Sequence, residues 1–226
     1  MSFTKRAAQG LAPHVTQVAP HVTAGFVHHA LDRAIHGVGP LDSAAVAADK
    51  QLDEQKGNVD KAIHEVIENN VRLAGAQGFA TNVGGLVTMT FTIPANLAGL
   101  ALIQCRMVAG IMHLRGYDLE DPRVRTAILA SLLGEEQILA KIKKKKLPGT
   151  PMALATAPVH DPQLSVVMAN EVASELISRV AGKKLARTVV RRIPVLGGLV
   201  GMGADGFTTW QIGRYVGREF LPRKRR

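Results

Sequence analysis

Cysteine occurs once in the 226 residues, at Cys105. A lone thiol excludes an intrachain disulfide and the multi-cysteine zinc sites, which suits a reducing cytoplasm. Its aliphatic neighbours mark it as a small buried hydrophobe. Aromatics make up only 4% of the chain and Trp210 is the single tryptophan, so stacking platforms for unpaired bases are scarce. Acids are short as well: 18 Asp and Glu stand against 28 Lys and Arg, a net charge of +10. That excess asks for an acidic partner, a nucleic-acid backbone or an anionic membrane face, and the shortage of aromatics favours the membrane. The first residues lack the apolar run and small-residue cleavage site of a secretory signal, so export by that route is not expected. Phosphate-loop, nucleophile-elbow and zinc-protease motifs are missing, and Ser43, Ser131, Ser165, Ser174 and Ser178 sit in no nucleophile context. The sequence therefore names no catalytic set, cofactor or metal site.

What dominates the chain is Leu73–Cys105, 33 residues without Asp, Glu, Lys, Arg or His. The stretch exceeds the roughly 20 residues that cross a bilayer, but Asn82, Pro94, Asn96 and Gln104 spoil it as a plain span. A broken apolar hairpin is expected. Val87 to Thr92 alternates like a strand, yet no second alternating run offers it a partner. Helix is therefore expected to about Thr92, with a second helix opened by Pro94 and running to about Leu114. On that helix Leu97, Leu100, Ala101, Met107, Val108, Ile111 and Met112 share one face, and Asn96, Gly99, Arg106, Gly110 and His113 share the other. Two readings stay open: a hairpin entering the membrane with both flanks on the cytoplasmic side, or the core pair of a soluble bundle.

Before this stretch, Ala12-Pro13-His14-Val15-Thr16 is echoed by Ala19-Pro20-His21-Val22-Thr23. The prolines disfavour helix and no carboxylate accompanies the histidines, so residues 1–30 are expected as a loose arm. A helix is expected from Ala24 to His36, stopped by Gly37-Val38-Gly39-Pro40. Asp42-Ser43 caps a second through Gln55, and Val59, Ile63, Val66, Ile67 and Val71 mark a third. After the stretch, Arg115 to Asp118 forms a stop and Asp121-Pro122 opens the next helix. A basic run, Lys143, Lys144, Lys145 and Lys146, leads into a Pro- and Gly-rich link. Asp161-Pro162 then opens a long helix to about Arg192, with Lys183, Arg187 and Arg191 in a row. Such a row lies against anionic lipid or is a solvated face. A second apolar block, Ile193-Pro194 to Gly201, echoes the first. Gly197 with Gly201 and Gly213 with Gly217 are spaced for close helix approach. Residues 31–220 read as one domain, followed by a basic tail, residues 221–226, containing Arg223, Lys224, Arg225 and Arg226.

Two groups stand out within apolar surroundings. Asp205 is either the cap of the following helix or a raised-pKa general base. Arg106 is expected to pair with Asp205 or Asp118, or to touch a lipid phosphate. Five blocks, Ala34 to Ser43, Gly78 to Leu86, Ile93 to Leu97, His113 to Leu119, and Ile193 to Gly198 with Asp205 and Ile212-Gly213, resemble the EcsC protein family in order. The resemblance covers roughly Asp32 to Phe220. It implies a bacterial, mostly helical protein named after a companion gene of an ABC transporter operon, without agreed catalytic residues.

The expectation is thus an all-α helical bundle built around two Gly-rich apolar helical hairpins, each with an Ile-Pro break. The expected role is a membrane-associated accessory or scaffold protein on the bacterial cytoplasmic face, with an anionic membrane as partner and a protein partner conceivable. The expected lipid contacts are Lys143 to Lys146, Lys183, Arg187, Arg191 and Arg223 to Arg226. The competing readings are a hydrolase using Asp205 with an unidentified partner and a basic nucleic-acid binder.

Overall fold

The computed structural model describes residues 20–75, 95–190 and 203–224, with side chains over 25–75, 97–178 and 205–224. The described helices are α1 (Pro20–His36), α2 (Ala44–Glu54), α3 (Val59–Gly75), α4 (Ala95–Leu114), α5 (Pro122–Ser131), α6 (Glu135–Lys143), α7 (Pro151–Ala155), α8 (Pro162–Val190) and α9 (Gly203–Glu219). The protein is all-α: nine helices and no strand occur among the described residues. The Val87–Thr92 run, both Ile-Pro breaks, Gly197 and Gly201 lie outside them.

Local chemistry sets the boundaries. Ser43 Oγ accepts the Val46 N–H at the start of α2, and Asn58 Oδ1 accepts the Lys61 N–H at the start of α3. Asp121 accepts the Arg123 N–H with Pro122 just inside α5, as the Asp-Pro pair predicts. Gly37 ends α1 at φ +87, where an added Cβ would stand 2.8 Å from the Leu41 carbonyl. Two expectations change. α1 begins at Pro20, and Phe26, Val27 and Ala30 are core residues, so the expected arm does not extend to residue 30. Proline at a helix's first position forfeits no hydrogen bond. The link after the Lys run also contains a helix, α7, where Thr150 caps and Pro151 occupies the first turn.

Side-chain contacts fix how the helices run. Gln104 of α4 donates to Thr209 Oγ1 of α9 at 3.1 Å, and Arg115 donates to the Gly217 carbonyl at 3.2 Å. Higher numbers on α4 thus meet higher numbers on α9, and the two are parallel. A Cβ on Gly213 would meet Ile67, one on Gly217 would meet Ile63, and one on Gly110 would meet Val66. Arg115 also pairs with Asp60 at 3.1 Å. α3 therefore runs antiparallel to both. Its last residue, Gly75, the first residue of α4 and the first residue of α9 all lie at one end of this three-helix unit.

α4 is the centre of the core. It packs against α1, α2, α3, α5, α8 and α9, and only Arg106 and His113 within Leu97–Leu114 are more than marginally exposed. The 18-residue window Leu97–Leu114 is long and apolar enough to cross a bilayer, yet 89% of it is buried inside the protein. Of the expected polar stripe, Arg106 and His113 keep partial exposure while Gly99 and Gly110 are buried, because helices cover most of that side as well. Burial pushes the Cys105 thiol up to about 12.

α9 seats on α3 and α4 through glycine. A Cβ at Gly213 would lie 2.9 Å from Ile67 Cγ1 and 3.0 Å from both Ile67 Cγ2 and Met107 Sδ. Overpacking of this kind costs about 1–3 kcal/mol. Gly213→Val is expected to lower Tm by several degrees, whereas Gly25→Ala, with nothing among the described residues within 4 Å of the new methyl, should raise stability by about 0.5–1 kcal/mol through helix propensity. Thermal denaturation of the two variants checks the pair, and equal Tm values would mean that α9 is not seated as described. Cys105 should resist a water-soluble disulfide reagent at pH 8 in the native protein and react fully in denaturant, as followed by released thiolate absorbance.

Candidate functional site

α9 divides into two faces. Thr209, Ile212, Gly213, Tyr215 and Val216 are buried against the core, while Phe207, Trp210, Gln211, Arg214 and Arg218 face outward. Phe207 is 51% and Trp210 36% exposed, and their rings stack at 6.1 Å with 20° between planes. The Arg214 guanidinium sits 5.9 Å from the centre of the Trp210 ring, a cation–π arrangement that keeps its charge in water. Covering on the order of 100 Å² of each ring would be worth about 2.5 kcal/mol.

Beside this stack lies a groove of about 760 Å³ lined by Leu133, Glu135, Leu139, Glu175, Trp210 and Arg214, among others. Leu139 of α6 is 55% exposed and adds apolar surface to it. Arg218 closes onto Glu135 at 2.8 Å. Asp205 lies in the first turn of α9, so it is a first-turn acid rather than the N-cap. There its charge favours the positive end of the helix dipole.

The other expected site residues lie apart. Arg106 meets Asp42 instead of Asp118 or Asp205: its Nε donates to the Asp42 carbonyl at 3.2 Å. Burial pushes its pKa down, and the Asp42 charge partly offsets this. Asp118 accepts the Glu120 N–H in the α4–α5 turn. A chain turning back over α4 brings Asp42 to Arg106 across 64 residues, a pairing that no local spacing signals. Lys143 ends α6 and Lys144, Lys145 and Lys146 follow it, all exposed. Lys145 has φ +56, a left-handed conformation that glycine would adopt without steric cost. Arg223 and Lys224 lie beside Tyr117 at the C-terminal end of α4, away from Phe207 and Trp210. Lys183 and Arg187 belong to α8, but their side chains are outside the described set, as are Arg191, Arg225 and Arg226 altogether.

The EcsC protein family profile matches residues 1–225. The chain belongs to the EcsC protein family. The match extends over the His-containing repeat and most of the basic tail, beyond the blocks legible by eye. No curated protein and no solved structure matches it. What this EcsC protein adds to the family name is the outward Phe207–Trp210–Arg214 row, spaced three and four residues apart on α9. Trp210 is visible in the sequence, but the stack is legible only once α9's buried face is known.

A second cluster ties α1 to α5. Asp32 pairs with Arg125 at 2.9 Å, Arg125 approaches Glu120 at 3.6 Å, and His36 lies 3.2 Å from Glu120. The hydrogen bond from Arg125 holds the Asp32 carboxyl below its ordinary value. A carboxylate depressed in the folded state contributes stability above its unfolded pKa and loses it as pH falls through the folded one. Asp32 is 54% exposed at its side chain, so screening limits the effect to a few tenths of a kcal/mol. Asp32→Asn should cost that amount at pH 7 and progressively less as pH falls through and below the ordinary carboxylate range, as read from a series of urea melts toward acid pH. A cost independent of pH would assign it to packing.

Proposed function

We propose that this EcsC protein is a membrane-associated accessory or scaffold protein of the bacterial cytoplasmic face. In this reading it attaches through the end of the bundle that joins its two Gly-rich apolar hairpins, each broken at an Ile-Pro. The observation that carries the reading is topological. Because α3 runs antiparallel to α4 and α9 runs parallel to it, the chain leaves α3 and enters α4 at the same end as it enters α9. The uncharged residues 76–94 and the apolar Ile193–Gly201 block therefore attach to one end of the unit. Phe207 and Trp210 lie in the first two turns of α9, at that same end.

Aromatic rings beside apolar chain are the chemistry of the membrane–water boundary. Lys183, Arg187 and Arg191 precede the second apolar block in sequence, and each basic residue near an anionic surface adds about 1 kcal/mol. Burial of α4 argues that the helical bundle itself stays outside the bilayer. Arg223 and Lys224 sit at the opposite end of α4 and contribute to lipid attraction only through long-range charge.

The single tryptophan makes the test direct. Vesicles containing phosphatidylglycerol should co-sediment the protein, shift Trp210 emission to the blue, and lose both effects as salt rises. Trp210→Ala should weaken vesicle binding several-fold without altering Tm beyond a degree or two. Equal binding to neutral and anionic vesicles, or no binding to either, would falsify the reading.

A further inference from the structure

At the end of α4 away from the apolar blocks, the α4–α5 turn and the segment after α9 form a second groove, of about 580 Å³. It is lined by His113, Tyr117, Asp118, Asp121, Arg123, Val124, Arg223 and Lys224, with Gly116 at the turn. That volume falls in the range of small-ligand sites. We propose that this groove binds a soluble phosphate-bearing anion, with Arg223 and Lys224 as its cationic contacts.

The site is held in place before any ligand arrives. Gly116, at φ +85, closes α4, with the Gly116 and Tyr117 N–H groups returning to the His113 and Met112 carbonyls. Tyr117 is thereby turned into the core, 4% exposed, and Phe220 packs against it edge to face at 5.2 Å. The Arg223 N–H donates to the Arg115 carbonyl at 2.7 Å, and its guanidinium lies 5.2 Å from the Tyr117 ring centre. Stacking on the ring orients the guanidinium and leaves its N–H edge for a bidentate acceptor.

Charge accounting points the same way. Asp121 is committed to the Arg123 side chain and N–H, and Arg123 also donates to the Ala157 carbonyl. Asp118 accepts the Glu120 N–H. His113 lies 2.9 Å from the Asp49 carboxylate. Among the described residues neither Arg223 nor Lys224 forms an ion pair, and with Asp121 taken up by Arg123, the Asp118 carboxylate alone stands against these two cations in the lining, which leaves positive charge in excess.

The acids on either side interrupt any continuous basic stripe, which argues against a nucleic acid and for a compact ligand. α4 is 20 residues long, on the order of 30 Å. The groove is therefore separated by the length of the bundle from the end proposed to meet lipid, and it opens to water. The proposal does not depend on the membrane reading.

Isothermal titration of the full chain with sodium pyrophosphate, at matched ionic strength, tests it. One saturable site is expected. The Arg223→Gln/Lys224→Gln double variant should weaken it about tenfold or more, and Lys224→Gln alone, at an exposed side chain, should weaken it several-fold at unchanged Tm. Asp118→Asn should tighten it by removing a repelling charge. Trp210→Ala should leave it unchanged, which separates this site from vesicle attachment. Absence of a saturable site, or unaltered affinity in the folded Lys224→Gln and double variants, overturns the proposal. So does pyrophosphate that displaces the protein from phosphatidic-acid vesicles, since the phosphate would then belong to a lipid headgroup.

Discussion

Everything in this fold depends on how closely three helices approach. Gly213 leaves room for Ile67 and Met107 where a methyl group would not fit, while a methyl at Gly110 would only touch Val66 and Ala48 at ordinary contact distance. Close approach lets the most apolar of the described helices be covered along most of its surface. It also brings Gln104 to Thr209 in the interior, so one amide hydrogen is satisfied there. Among the described residues the Gln104 and Asn70 side-chain oxygens are buried without a partner, a cost the apolar packing around them must exceed. A bundle with larger residues at the α9 seam would have to spread, and α4 would face water.

This packing divides the molecule by chemistry along its length. At one end the chain leaves α3 and enters α4 and α9, and this end carries the exposed aromatic pair. The other carries the Arg115–Asp60 pair, the Tyr117–Phe220 contact and the cations that follow α9. The proposed lipid contact and the proposed anion site thus occupy opposite ends of the same helices, and charge alone would not have separated them. A net charge of +10 describes the chain without saying which end of it is basic.

Much of the helical framework was legible because its signals are local. Ser43 and Asp121 cap helices with their own side chains, and Gly37 and Gly116 end helices through a backbone conformation glycine favours. The glycine spacing at Gly213 and Gly217 also carried a usable hint. The start of α1 misled because proline breaks a helix in its interior but is welcome at its first position. The partner of Arg106 was not legible at all. An isolated charge in an apolar helix signals a need for compensation, but Asp42 supplies it from a distant turn, through its backbone carbonyl and the charge of its carboxylate, and no local spacing points to that turn. The groove at Tyr117 is hidden for the same reason, since Arg223 reaches it from more than a hundred residues away.

The parallel course of α4 and α9 has a consequence for how the protein is made. Two parallel neighbours cannot be joined by a short turn, so the chain must first build α5 to α8 before α9 can dock. The Gln104–Thr209 contact spans 105 residues, and closing so long a loop is slow relative to forming the local helical pairs. During synthesis α4 is complete long before its glycine-seamed partner exists, and a strip of Leu, Ile and Met remains uncovered for that interval. At about 5–20 residues per second, the delay is several seconds or more, and the nascent chain presents its most membrane-like helix throughout it. Chaperone capture or misdirected insertion is most favoured in that interval, and substitutions at Gly213 would prolong it by slowing the docking that ends it.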